Sequence, residues 1–233
     1  MKCRRTGTMR SRERGAAPSR ALAVLVAGTV AALGPARAEQ LSASVRSERG
    51  EPVRDAVVYA LPEGAAKLNL PAPERVVIDQ VDKEFVPYVT PVYVGTRVNF
   101  PNRDRIRHHV YSFSPAKTFE IPLYDGMPQR LVAFDRPGEV VLGCNIHDWM
   151  KAYVYVVETP YFSVTDGAGL AAIEAPAGDY RVEVWHPRLE GEPEATARTL
   201  RLESGAAPRL DFVIAQKRVW SPRRAPASDP DYR

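Results

Sequence analysis

The stretch GCNIHDWM, residues 143–150, decides how this chain is read. It follows the apolar run Glu139 to Leu142 and leads into Ala152 to Val157, so it reads as a loop joining two strands. Three of its side chains can reach one soft metal ion: the Cys144 thiolate, the His147 imidazole and the Met150 thioether, at the spacing C-x2-H-x2-M. Sulfur combined with imidazole selects copper over Mg or Ca, and a thioether suits zinc poorly. Taken singly, Cys144 and Met150 could equally be buried hydrophobes. Their joint spacing with His147 favours ligation. A second imidazole must then come from elsewhere, and His108-His109, at the head of the segment Val110 to Phe113, supplies the candidates.

Outward from this loop the chain reads as β throughout. Apolar residues alternate in Leu41 to Val45, Val53 to Ala60, Pro91 to Phe100, Val110 to Phe113, Glu139 to Leu142, Tyr153 to Val157, Tyr180 to Trp185 and Leu210 to Ile214. Turn residues interrupt them at short intervals: Gly50, Gly64, Pro101-Asn102, Gly126, Pro137-Gly138, Gly167 and Gly178. No segment shows a helical period, and 21 Pro work against long helices. Short strands with regular turns predict an all-β sandwich or barrel architecture.

Two textures separate. The middle, about 73–158, is rich in aromatics and holds His108, His109, His147 and Cys144; the flanks are plainer. The middle resembles the cupredoxin family, the type 1 (blue) copper proteins, whose pattern is F-x-N-x-D-x-x-x-H-N-V followed by C-x-x-H and a Met. Asn102, Asp104, His108 and Val110 fall on the first part, and Cys144, His147 and Met150 on the second. Pro91 to Phe100 looks like the strand pair that precedes the first ligand, and the short Cys-to-Met loop looks like that of amicyanin. The resemblance implies a Greek-key sandwich holding one copper on His108, Cys144, His147 and Met150. It picks His108 because the ligand precedes an Asn-Val pair, and His109 stands where that Asn would be. The Asn normally ties the two ligand loops together, so His109 is both a departure and the reserve ligand.

The flanks resemble a carboxypeptidase regulatory-like (transthyretin-like) β-sandwich. Val45 to Leu61, VRSERGEPVRDAVVYAL, matches its opening V-x-D/S-x-x-G-x-P-V-x-x-A-x-V. Thr165-Asp166 to Gly169 and Pro176 to Val184 match its later part. The expected organisation is a discontinuous sandwich from 41–62 and 159–216, with a copper unit at 73–158 inserted into it. The whole chain resembles exported proteobacterial proteins labelled methylamine utilization protein or plastocyanin-like.

Residues 1–38 read as a secretory signal peptide cut after Ala38: an Arg-rich head, the apolar core Ala21 to Leu33, and Ala36-Arg37-Ala38. That apolar core is too short to span ~30 Å of hydrocarbon, so no stable membrane insertion is expected. Of 32 Lys+Arg and 28 Asp+Glu, this leader carries eight and one; the remaining 24 and 27 leave net −3, which argues against a nucleic-acid partner. Cys3 departs with it, so Cys144 has no disulfide partner in an oxidising compartment. The Pro- and Arg-rich tail, 217–233, reads as disordered.

Met127 is expected to pack in its Gly/Pro loop, His186 to lie on the surface, and Asp104 and Asp148 to be solvated. Phe100, Tyr111, Phe113, Trp149 and Tyr153 are expected to surround the copper, with His147 the less buried imidazole. The leading expectation is a periplasmic copper protein, not an enzyme, carrying single electrons between redox protein partners. The alternatives are a copper chaperone or storage module and a non-redox binding module.

Overall fold

Side chains that alternate between core and more exposed positions build many of the strands, such as Leu170–Pro176 and Thr96–Asn99. Others, such as Val57–Pro62 and Lys151–Val157, are buried along most of their length. The computed structural model describes residues 38–64, 75–128 and 130–218. Seven strands come first: β1 (Ala38–Ser47), β2 (Val57–Pro62), β3 (Arg75–Val77), β4 (Asp79–Val81), β5 (Glu84–Val86), β6 (Val89–Tyr93) and β7 (Thr96–Asn99). Five more complete the middle of the chain: β8 (His108–Ser114), β9 (Lys117–Tyr124), β10 (Val132–Phe134), β11 (Gly138–Gly143) and β12 (Lys151–Val157). The last are β13 (Phe162–Val164), β14 (Leu170–Pro176), β15 (Gly178–Trp185), β16 (Arg198–Leu202) and β17 (Arg209–Ile214). One 3-10 turn, Pro193–Thr196, is the sole helical element among the described residues, and the fold is all-β. None of these residues forms a helix long and apolar enough to cross a membrane.

A five-stranded sheet in the order β6-β12-β11-β8-β9 faces a three-stranded sheet, β10-β7-β3. Val98, Phe100, Val110, Phe134, Leu142 and Val154, all fully buried, form the core between them, and Cys144 and Met150 belong to the same cluster. β6 and β12 run parallel, so the connection between them crosses over rather than turning back as a hairpin.

A second pair of sheets, β14-β1-β17 and β13-β2-β15-β16, encloses another core of Leu41, Val45, Val58, Ile173, Val182, Val184, Phe212 and Ile214. β1 lies central in its sheet, antiparallel to β14 and parallel to β17. The strands before residue 62 therefore share both sheets with strands after 162. The segment expected as one strand from Val53 starts only at Val57. Ahead of it the chain turns at Asp55 (φ 62°), and Thr165 accepts the Ala56 amide and donates to the Val53 carbonyl. Gly169 must lack a side chain: its φ is +75°, and a Cβ would stand 2.5 Å from the Val45 carbonyl oxygen.

A third apolar cluster, Val57, Tyr59, Val89, Tyr153, Val157 and Trp185, joins the two sandwiches. Tyr155 stacks on Trp185 at 4.4 Å, and Tyr59 donates to the buried Glu183 carboxylate at 2.7 Å. The expected leader falls outside the described residues except for Ala38, the first residue of β1; residues 219–233 of the expected tail also lie outside them.

Candidate metal centre

β8 opens with His108, β11 delivers Cys144 just past its end, and β12 begins one residue after Met150. The seven residues between the last two strands close on themselves: the Cys144 amide donates to the Met150 carbonyl (3.2 Å) and the Met150 amide to the His147 carbonyl (3.0 Å). Gly143 and Lys151 continue the ladder below. Closure turns the His147 ring back over the loop. The Cys144 Sγ then lies 3.9 Å from Nδ1 of His108 and 3.8 Å from Nδ1 of His147. All three donor atoms fall within 4.8 Å of one another, and all three residues are buried. Metal–ligand bonds of about 2.0–2.3 Å place the atoms of a three-coordinate set roughly 3.5–4 Å apart, so this spacing fits one ion. Met150, 1% exposed, packs in the same cluster as Cys144. Thiolate, two imidazoles and a nearby thioether form a donor set suited to copper.

The protein adjusts these groups before any ion arrives. Burial by itself pushes the Cys144 thiol up. Hydrogen bonds from His108 and from the backbone amides of Ile146 and His109 outweigh it, and the thiol titrates below its ordinary range. Burial works against charge on His108 too, but the sulfur on one side and Asp104 on the other raise it. His147 is lowered, by burial first and then by the charges of His108 and Lys83. It is also the less buried ring, 6% exposed against 0% for His108.

His109 faces away. Its Nε2 lies 3.0 Å from the Glu120 carboxylate on β9, its ring leans on Tyr111, and only its backbone amide reaches the sulfur. Successive residues of a strand point to opposite faces, so the two consecutive imidazoles point apart, and the pairing with β9 shifts register between His108 and Val110. On the outer side of the sheet Tyr111 covers Gly143, where a Cβ would stand 2.8 Å from the ring.

Several expectations are corrected. Asp104 is not solvated: its carboxylate accepts the Asp82 and Lys83 amides at 2.7 and 2.8 Å and meets Nε2 of His108 at 2.7 Å. The i, i+4 spacing of Asp104 and His108 was the available signal. Asp148 is exposed, as a solvated residue should be. His186 is buried rather than superficial, because the chain folds back over it after β15; its Nδ1 accepts the Arg188 amide at 3.1 Å and meets the Gln216 amide group at 3.2 Å. Met127, expected to pack, is 66% exposed on the loop after β9, with the Asn99 amide at its sulfur. Of the aromatics expected around the site, Phe113 is 77% exposed and Tyr153 faces Trp185 at the junction, while Trp149 lies against His147 at 5.1 Å.

No protein-family profile matches the chain, and no curated protein matches it. Among solved structures it is similar to a copper-containing nitrite reductase from Thermus scotoductus SA-01, at 28% identity over 42% of this chain and TM-score 0.35. That match spans 25% of the reductase chain. It is similar also to a purple cupredoxin from Nitrosopumilus maritimus, at 21% identity over 35% of this chain and 99% of the other, TM-score 0.32. A third likeness is to amicyanin, at 22% identity over 36% of this chain and 82% of that one, TM-score 0.33.

Proposed function

We propose that this protein is an exported type 1 copper protein that passes single electrons between redox protein partners, with residues 73–158 as a cupredoxin-like unit inserted into the sandwich formed by 41–62 and 159–216. The observation that carries the reading is the convergence of Cys144 Sγ with Nδ1 of His108 and His147 at 3.8–3.9 Å in a buried pocket. His108, Cys144 and His147 would hold the copper, and Met150, buried in the same cluster as Cys144, would offer a weaker thioether donor. Copper held there supplies a one-electron couple.

The chain's own residues account for the remaining requirements. Backbone amides of Ile146 and His109 hold the sulfur from two segments, so the ligand positions are set by the ladder rather than by the ion. His147 carries the site outward, with Ile146, 46% exposed, beside it as an apolar contact for a partner. The two other imidazoles lie away from the sulfur: the His109 ring faces Glu120, and His186 accepts from Arg188 and meets Gln216. This favours a single-centre carrier over an enzyme that assembles several copper sites from His. The leader at 1–38 supports export to the periplasm.

The visible spectrum of the copper-loaded protein tests the reading. An intense blue, green or purple band, lost in Cys144→Ser, is expected, because that band arises from the sulfur–copper bond. A colourless stoichiometric Cu(I) complex would indicate a chaperone or store instead, and absence of stoichiometric copper would indicate a scaffold.

A further inference from the structure

The loop from β7 to β8 is fastened at residues the copper pattern does not use as ligands. Asn102 donates to the Ile106 and Tyr124 carbonyls at 2.8 and 2.9 Å and accepts the Asp104 amide at 3.0 Å. Arg103 pairs with Asp79 at 2.8 Å, and its amide bonds the Gln80 carbonyl. These contacts tie residues 102–104 to β4 and leave the Asp104 side chain one direction to point.

That direction is set from both sides. β4 and β5 are joined by Asp82 and Lys83, both left-handed, at φ 54° and 62°. A two-residue turn with both φ positive is of the I′ kind, which ordinarily calls for Asn-Gly. Here it is kept with Asp-Lys, and both its amides bond to Asp104, one to each carboxylate oxygen. The oxygen that takes Lys83 also takes Nε2 of His108. The carboxylate, with its side chain only 14% exposed, thus spans a hairpin turn and the fully buried imidazole.

We propose that Asp104 is a positioning residue for the copper centre. It fixes His108 with the proton on Nε2 and the Nδ1 lone pair free for the metal, and it lowers the reduction potential by placing a negative charge behind that ligand. This rests on the copper reading above. Nδ1 can ligate only if the ring's proton sits on Nε2, and a carboxylate acceptor at Nε2 selects that tautomer. The same hydrogen bond makes the imidazole a stronger donor, and a fixed anion stabilises the more highly charged, oxidised ion over the reduced one.

Asp104→Asn keeps size and shape but presents an amide N–H where His108 needs an acceptor. Titration with copper alone should show affinity reduced ~10–100-fold. Cyclic voltammetry of the loaded protein should show the oxidised-to-reduced balance moved at least ~10-fold toward reduced, an upward shift of about 59 mV for one electron. Asp104→Glu should recover part of both effects, and melting curves confirm that the variants are folded. Independently of any variant, 15N NMR of the Cu(I)-loaded wild type should show a slowly exchanging proton on His108 Nε2. No such proton, or an Asp104→Asn potential equal to that of the parent, overturns the inference while leaving a coloured wild-type centre, and so the functional reading, intact. A wild type that binds no copper overturns both.

Discussion

Cys144 and its two imidazoles show how much depends on where single atoms point. His108 and His109 are adjacent and both buried, yet only the first turns Nδ1 toward the sulfur. His108→Ala should therefore weaken copper binding by more than ~100-fold. His109→Ala keeps the backbone amide that reaches Cys144 and should change binding less than ~10-fold. Isothermal titration with Cu(I) competitors separates these outcomes, and the reverse ranking would show the first ligand displaced by one residue. Met150→Leu should retain copper and colour while raising the potential, because a thioether is a weak donor beside a thiolate and two imidazoles; loss of colour would show the thioether to be essential. Affinity for the metal should fall as the pH is lowered, since sulfur and Nδ1 must each release a proton to bind. The lowered Cys144 thiol defers part of that loss to more acid solution, while the raised His108 imidazole brings part of it to higher pH.

At the scale of elements, the site depends on how closely β8 and β11 approach. Gly143 on β11 pairs with Tyr111 on β8, and the Tyr111 ring occupies the space a side chain at 143 would need. Gly143→Ala should displace the ring and loosen the strand carrying Cys144. A loss of about 1–3 kcal/mol is expected, together with a changed visible band, read from denaturant melts and spectra. A variant with unchanged stability and spectrum would show that Tyr111 moves freely. β9 completes the sheet as an edge strand. Pro122 sits within it, which an edge tolerates because no further strand needs that N–H. The same proline hides β9 from a pattern search, and the Ala-rich alternation of β14 hides that strand too.

Across the whole molecule, the two sandwiches meet on aromatic side chains. Trp185 is 5% exposed, stacked on Tyr155 and edge-on to Tyr153. Trp185→Ala should cost about 3–5 kcal/mol. It should also split a single calorimetric transition into two as the sandwiches uncouple; one transition with an unchanged midpoint would show that the junction contributes little. His186 beside it links stability to pH. Burial pulls its pKa from 6.5 down to about 4, helped by the charge of Arg188. The folded state prefers the neutral ring, so this contribution is complete above pH 6.5. It is lost as the pH falls from 6.5 toward about 4, where the unfolded chain takes up a proton that the folded chain refuses. The loss is on the order of 3 kcal/mol. Urea midpoints at pH 7 and 4.5 should differ less in His186→Gln than in the parent; equal differences would remove His186 as the cause.

Read without its structure, the chain already specifies an all-β protein and a loop on which Cys144, His147 and Met150 can serve one ion. Both follow from local properties: period-two alternation puts residues on one sheet face, and a seven-residue loop between paired strands keeps its side chains within reach of a common point. Other features exist only in three dimensions. The partnership of β1 with β17 joins residues more than 160 positions apart, and no local pattern records it. The choice of His108 over His109 depends on which face of β8 meets the Cys144 loop, and the roles of Asp104 and His186 depend on amide groups from other segments. A charged or polar side chain takes its character from what surrounds it, and for these residues the surroundings are assembled by long-range packing.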